Sequence, residues 1–268
     1  MVNGAKADAK IRVESINKSF IVDGDRLLVL DGIDFAVNDG EFVSIIGPSG
    51  CGKSTLLNIM AGLDSPDAGT VTIEGSSTGP QLGQIGYMQQ KDLLLPWRSV
   101  LDNTILGLEL KGMPRREARL KALELTEVFG LQGFENQYPF ALSGGMRQRA
   151  AFLRTMLLDQ DVVLLDEPFG ALDALTRVQM QEWLLELWGS LRKTIILITH
   201  DVDEAILLSD RVYVLTARPG HVKMVMDVEL PRPRDYRFIT QDSFIRLKTD
   251  LLSALQEEIH RDGAASWP

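Results

Sequence analysis

Cysteine is almost absent from this 268-residue chain, Cys51 being the single one. No intramolecular disulfide and no Cys-rich zinc site can form, and a lone thiol suits a reducing compartment. Long apolar runs are missing as well. None approaches the roughly 18 consecutive apolar residues of a membrane span, and the first ten residues, MVNGAKADAK, hold no apolar core of signal-peptide length. The expectation is a soluble cytoplasmic chain that reaches a membrane only by docking on another protein. Positive charge is in deficit too. The formal net charge of -9 argues against a general nucleic-acid binder, because phosphate backbones are met by basic surfaces. Internal repeats and low-complexity segments are also lacking. What is present, 45% hydrophobic and 24% charged residues, fits one or two domains with a sizeable core.

Up to about residue 90, IRVESI, LLVLDGIDFAV, EFVSIIG and GTVTIEG predict strands, punctuated by Gly24, Gly32, Asp39-Gly40 and Gly75. KSTLLNIMAGL, which starts at Lys53 and stops before Ser65-Pro66, predicts a helix. From 91 to 158 the texture becomes helical. Pro114 suits a first turn, and Ala118, Ala122, Leu125 and Phe129 fall on one face. VVLLDE and TIILITH then read as strands buried on both faces of a parallel sheet. The helix between them has Met180, Leu184, Leu187, Trp188 and Leu191 on its apolar side. Strand, helix, strand in that order implies an α/β fold. RPG at 218–220 and PRPRD at 231–235 mark turns and a linker. Phe244, Leu247, Leu251, Leu255 and Ile259 form one stripe of a terminal helix, either packed on the core or offered to a partner.

The chemistry concentrates in four places. GPSGCGKST, residues 47–55, fits G-x-x-x-x-G-K-[ST] through Gly47, Gly52, Lys53 and Ser54, with a strand before it and a helix after. Glycines let backbone N–H groups turn inward around phosphate oxygens with no side chain in the way. Pro48, Ser49, Gly50, Cys51 and Thr55 complete the loop. Lys53 can reach the β- and γ-phosphates of a nucleoside triphosphate, Ser54 can offer an oxygen to Mg²⁺, and the helix N-terminus adds partial positive charge. Cys51 is a small loop residue or, alternatively, a redox thiol. In VVLLDEPFGALD an apolar strand ends in two carboxylates. Asp166 can hold Mg²⁺ through water, while Glu167 activates the attacking water. His200, after TIILIT, lies at the carboxyl end of a parallel strand and suits a role at the γ-phosphate. LSGGMRQR, residues 142–149, places two glycines at a helix start, a second set of N–H groups suited to an anion. A second cradle makes sense if it serves a neighbouring molecule's nucleotide.

With Phe20 ahead of the phosphate loop, Gln89 after IGYM, and GALD at 170–173, these motifs stand in one familiar order. The chain resembles the ATP-binding cassette (ABC) ATPases nearly end to end. The resemblance implies a P-loop NTPase, RecA-like core with an antiparallel β subdomain over 1–90 and 159–225. It also implies an inserted α-helical subdomain over 91–158 and a C-terminal linker and helix over 226–268. The implied ligands are ATP and Mg²⁺. The implied assembly is a homodimer, each ATP held between one copy's residues 47–55 and the other's Ser143, Gly144 and Gly145. Gln89 would link the γ-phosphate and Mg²⁺, held also by Ser54 and Asp166, to the helical subdomain. Ala171 to Asp173 would communicate across the dimer. Lys53, Glu167 and His200 would carry catalysis. Phe20 would stack on adenine, where many members have tyrosine; a core Phe20 is the alternative.

LLLPWRSVLDN, DEPFGALDALTR, LLELW, THDVDEAILLSDRV and RPG followed by LPRPR look like the ATPases of nitrate, sulfonate and taurine importers. Such a subunit would sit on the cytoplasmic face of the inner membrane, on a separate permease fed by a substrate-binding protein. Leu93, Leu94, Leu95, Pro96 and Trp97 would then help line a groove for a permease helix, or else pack inside the helical subdomain. A non-transport cassette acting on nucleic acid or ribosomes is the rival, and the acidic balance argues against it. A small-molecule kinase would leave LSGG unexplained. The cargo is not legible, since such a subunit never touches it.

Overall fold

The structure, a computed structural model, describes residues 9–74, 83–170, 172–191 and 193–264. Gly75 and Ala171, and the side chains of Leu191 and Ile259, lie outside the described residues.

Strands β1 (Ala9–Val22) and β2 (Asp25–Asn38) form a long antiparallel hairpin. Asp23 and Gly24 turn it with φ of 52° and 92°, the left-handed pair whose twist matches that of the strands. β3 (Phe42–Ile46) leads through the glycine loop into α1 (Lys53–Met60), after which β4 (Ala68–Ile73) returns to pair with β1. The helical stretch follows β5 (Gly86–Met88) and contains α2 (Val100–Thr104), α3 (Leu106–Leu110), α4 (Arg115–Thr126) and α5 (Gly144–Met156). The chain then runs through β6 (Val162–Asp166), α6 (Ala174–Leu191), β7 (Thr194–Ile198), α7 (Val202–Leu208), β8 (Arg211–Leu215), β9 (Val222–Asp227) and α8 (Asp242–Ala264).

The larger sheet has the order β5-β6-β7-β3-β8-β9, parallel except for β9 at the edge. Its inner strands alternate strictly between two apolar clusters. Phe42, Val163, Leu165, Ile195, Leu197, Val212 and Val214 face α5, α6 and α7. Val43, Ile45, Val162, Leu164, Ile196, Ile198 and Tyr213 face α1 and the hairpin sheet. That two-sided burial is why β3, β6 and β7 read as unbroken apolar runs. Truncating the fully buried Ile196 to alanine would cost about 2–5 kcal/mol in lost transfer and cavity terms.

The helix stripes fall as the periodicity predicts. Ala118, Ala122 and Phe129 are buried, as are Met180, Leu184 and Leu187 on α6, and Trp188 packs partly buried beside them. On α8, Phe244 and Leu251 are buried, and the helix packs on α7 and β8, which favours the core reading of that stripe. The expected linker at 231–235 is different. Arg234 is 5% exposed and donates to the carbonyls of Val228, Leu230 and Ser209, so this segment is an anchored strap. A composition rich in proline and arginine reads as solvated chain, and only the tertiary fold supplies the carbonyls that hold it.

Candidate active site

The glycine loop joins the carboxyl end of β3 to α1. Gly50 and Gly52 have φ of 76° and 106°, where any other residue would be strained. A Cβ on Gly52 would also stand 2.6 Å from Leu30 Cδ2. Gly52 is the N-cap of α1 and brings no side-chain cap, and the first turn of α1 carries no acidic residue. The leading N–H groups and the positive end of the helix are thus presented to an anion. Lys53 is buried, and its Nζ donates to the carbonyls of Gly47 and Pro48, both at 2.9 Å. Cys51 is fully buried, and burial pushes its thiol pKa up, with the Lys53 charge opposing. A protonated, inaccessible thiol has no redox use here.

Sequence reasoning missed what supports this loop from behind. Gly220, in the RPG turn, exchanges backbone hydrogen bonds with Val29 and Asp31, and a Cβ there would meet the Cys51 carbonyl at 2.3 Å. Glycine is required because the turn lies against the loop's own backbone.

Asp166 ends β6, buried between α1 and β5. Burial pushes its carboxyl up from the ordinary range; the Ser54 hydroxyl and Lys53 oppose this, and Glu167 adds to it. Tyr87, whose hydroxyl donates to Asn58 Oδ1 at 3.2 Å, lies near enough that its own pKa is raised by burial first and by the Asp166 charge second. A desolvated carboxylate beside a hydroxyl is an all-oxygen donor set of the kind Mg²⁺ takes.

Glu167 follows at φ 46°, with its N–H bonded to the Ile198 carbonyl at 2.9 Å. A left-handed residue at a strand end aims its side chain where the strand would not. Two neighbours meet its Oε2: His200 Nδ1 at 3.3 Å and Gln90 Nε2 at 3.0 Å. His200 arrives on the turn after β7, the strand hydrogen-bonded to β6. The sheet therefore brings together Lys53, Ser54, Asp166, Glu167 and His200 at the carboxyl ends of adjacent strands.

Gln89 needs correction. Both glutamines are exposed, and Gln90, not Gln89, is the one that reaches Glu167. Neighbours in an extended chain point to opposite sides, so only one of two consecutive glutamines can face the site. Two identical residues in a row gave no signal for the choice.

Phe20 is 39% exposed, with Lys18 Nζ 5.1 Å from its ring centroid, so the core reading fails. Ser143 is exposed at the start of α5, where its hydroxyl accepts from the Met146 N–H at 3.3 Å. Gly145, in the first turn of α5, is buried against α6, where a Cβ would stand 2.7 Å from Thr176. The structure places α5 against α2, α3, β5 and α6, whereas α1 packs on β6. The signature residues thus belong to a different part of the molecule from the phosphate loop.

From Gln90 the chain runs into a segment tied to the signature helix. Arg147 Nε pairs with Asp92 at 3.2 Å, and Arg154 donates to the carbonyls of Asp92 and Leu93 at 2.6 and 2.8 Å. Leu94 is core, while Leu93, Pro96 and Trp97 are exposed, Trp97 by 72%.

The model of the family described as ABC transporter matches residues 30–170. This chain belongs to that family. Among relatives of the cassette is an aliphatic sulfonates import ATP-binding protein of Bacillus thuringiensis, 42% identical over 92% of this chain and 96% of that one. A formylaminopyrimidine import ATP-binding protein of Halalkalibacterium halodurans is 43% identical over 86% of this chain and 91% of that one. A solved dimeric, post-hydrolysis ATP-binding cassette bound to ADP and Pi superposes with a TM-score of 0.73 at 31% identity, covering 82% of this chain and 100% of that one. The cassette is an α/β P-loop ATP hydrolase. Among the described residues no helix is long and apolar enough to cross a membrane.

Proposed function

We propose that this cassette is the ATPase subunit of an import system, in which ATP-driven pairing of two copies moves a membrane permease. The observation that carries the reading is the continuous connection from Glu167 through Gln90 to the exposed Leu93, Pro96 and Trp97, with Arg147 and Arg154 fastening it to the signature helix.

The backbone of residues 47–55 and the Lys53 ammonium hold the triphosphate, and Phe20 stacks on the adenine. Ser143, Gly144 and Gly145 of a second copy close over the γ-phosphate with the N-terminus of their α5. Ser54 and Asp166, with Gln90 in the place first assigned to Gln89, would hold Mg²⁺. When bound it neutralises charge between the phosphates. Glu167, oriented by Gln90 and His200, takes a proton from the attacking water, whose oxygen bonds to the γ-phosphorus. The bond from that phosphorus to the bridging oxygen breaks, and its electron pair leaves with ADP. His200 hydrogen-bonds the γ-phosphate oxygens as charge shifts among them.

Binding and hydrolysis act on the partner through differential affinity. ATP binds the closed pair better than the open copies, because only closure engages both cradles. Breaking the γ-phosphate link removes that bridge and the copies part. Gln90 carries the difference to the Asp92–Trp97 segment and so to a permease helix seated on it. The permease receives a small anion or an organic sulfur or nitrogen compound from a substrate-binding protein, and the cassette works on the cytoplasmic face. That relatives named for sulfonates and for formylaminopyrimidine are equally similar fits a subunit that does not contact cargo.

Co-expression with candidate permease subunits tests this. Trp97→Ala should spare ATP-dependent phosphate release but weaken permease co-purification by on the order of 30-fold, the loss of one aromatic anchor worth ~2 kcal/mol. Undiminished co-purification would refute the docking role.

A further inference from the structure

We propose that Arg234, in the strap at residues 231–235, is a positioning residue for His200 that acts through α7. The inference rests on the catalytic reading of His200 given above.

α7 is seven residues long and begins two positions after His200. Its leading end is bound into the His200 turn. Asp201 caps α7, its Oδ1 accepting from the N–H groups of Asp203 and Glu204 at 2.9 and 3.2 Å. Thr199 accepts from the Asp201 N–H at 3.0 Å and donates through its hydroxyl to Oε2 of the buried Glu204 carboxyl group. Residues 199–204 therefore move as one unit. The His200 side chain itself is 60% exposed, so its place over Glu167 is set by this backbone more than by packing around the ring.

The trailing end of α7 is held by Arg234. Nη1 donates to the carbonyls of Ile206 at 3.1 Å and Ser209 at 2.5 Å, while Nη2 donates to those of Val228 and Leu230, both at 3.0 Å. The first two belong to the last turn of α7 and its C-cap, where carbonyls lack partners within the helix and the dipole is negative. Among the described residues, carbonyls rather than an ion-paired carboxylate hold this guanidinium. Burial and the charge of Arg232 pull its pKa down to about 10, which leaves it protonated at neutral pH. A planar fork with several fixed donors suits this place, and a lysine, with one point charge, could satisfy only part of it.

The strap is itself anchored. Arg232 stacks on Trp188 of α6, 4.1 Å from the ring centroid, and pairs with Asp210 at 2.7 Å. On the other side Lys248 of α8 pairs with Asp203 at 2.7 Å. The segment beyond β9 thus fastens α7 near both ends, and the family match over residues 30–170 does not include it.

Phosphate release measured against ATP concentration, with melting followed in parallel, tests the assignment. Arg234→Met should lower kcat about tenfold per folded molecule with KM for ATP unchanged within about twofold, the size expected when a catalytic group is displaced by a fraction of an ångström. Arg234→Lys should recover part of the loss. Lys248→Met, which leaves the carbonyl cluster intact, should lower kcat about threefold at constant KM, and it carries the test if Arg234→Met does not fold. Lower melting temperatures with kcat unchanged would overturn the proposal, leaving these residues purely structural. His200→Ala is the reference. If it hydrolyses ATP at the wild-type rate, the reading of His200 fails; if it is slow and the Arg234 and Lys248 variants are not, only this inference fails.

Discussion

Replacing Gln90 with alanine removes one hydrogen bond, Nε2 to Glu167 Oε2 at 3.0 Å. A hydrogen bond to a charged group contributes about 1.5–3 kcal/mol when shielded; Gln90 is exposed, so about 1–2 kcal/mol is the working figure. At 1.36 kcal/mol per decade of rate, kcat should fall about 5- to 30-fold. KM for ATP should change little, because the contact is to the carboxylate that activates water and not to the phosphate cradle. Gln89→Ala, one residue away, should stay within about twofold of wild type, as surface substitutions generally do. Steady-state phosphate release over a range of ATP concentrations separates the two. If Gln89→Ala loses the rate and Gln90→Ala keeps it, the geometry around Glu167 is not the working one.

Two further changes probe other parts of the site. Phe20→Ala should raise KM for ATP about 5- to 30-fold at unchanged kcat, from the loss of a base-stacking face worth about 1–2 kcal/mol. Unchanged KM would show that the exposed ring does not meet the nucleotide. Burial raises the Glu204 carboxyl from its ordinary 4.5 to about 8. Over that interval the folded chain keeps a proton that the unfolded chain releases, so this residue makes stability fall as pH rises from about 4.5 to about 8, and not beyond. Glu204→Gln has no proton to lose, and its Tm should decline less between pH 5 and pH 8 than that of the wild type. Parallel declines would show that Glu204 is ionised in the folded protein.

The parts of this fold that were legible in the sequence are those whose physics is local. The phosphate loop is a run of nine residues whose glycines and lysine state their purpose by spacing, and β6 and β7 announce two-sided burial through VVLL and TIILI. Asp166, Glu167 and His200 followed because strand ends in a parallel sheet converge. What was not legible depends on contacts between distant segments. Gln89 and Gln90 are chemically identical, and only the path of the chain after β5 picks the one facing Glu167. Arg234 looked like part of a solvated linker until α7 and Leu230 supplied its acceptors. Gly220 read as one more turn glycine, and its task became visible only with the Cys51 carbonyl pressed against it.

The central claim is that residues 47–55 form half of a site and that Ser143 to Gly145 of a second copy form the other half. Glu167→Gln, which slows hydrolysis and so preserves bound ATP, should elute as a dimer on sizing in ATP and as a monomer without it. Adding Ser143→Arg to that variant should abolish the dimer while each separate copy still binds ATP. A dimer that survives the second substitution, or a monomer that can no longer bind ATP because of it, would contradict the account.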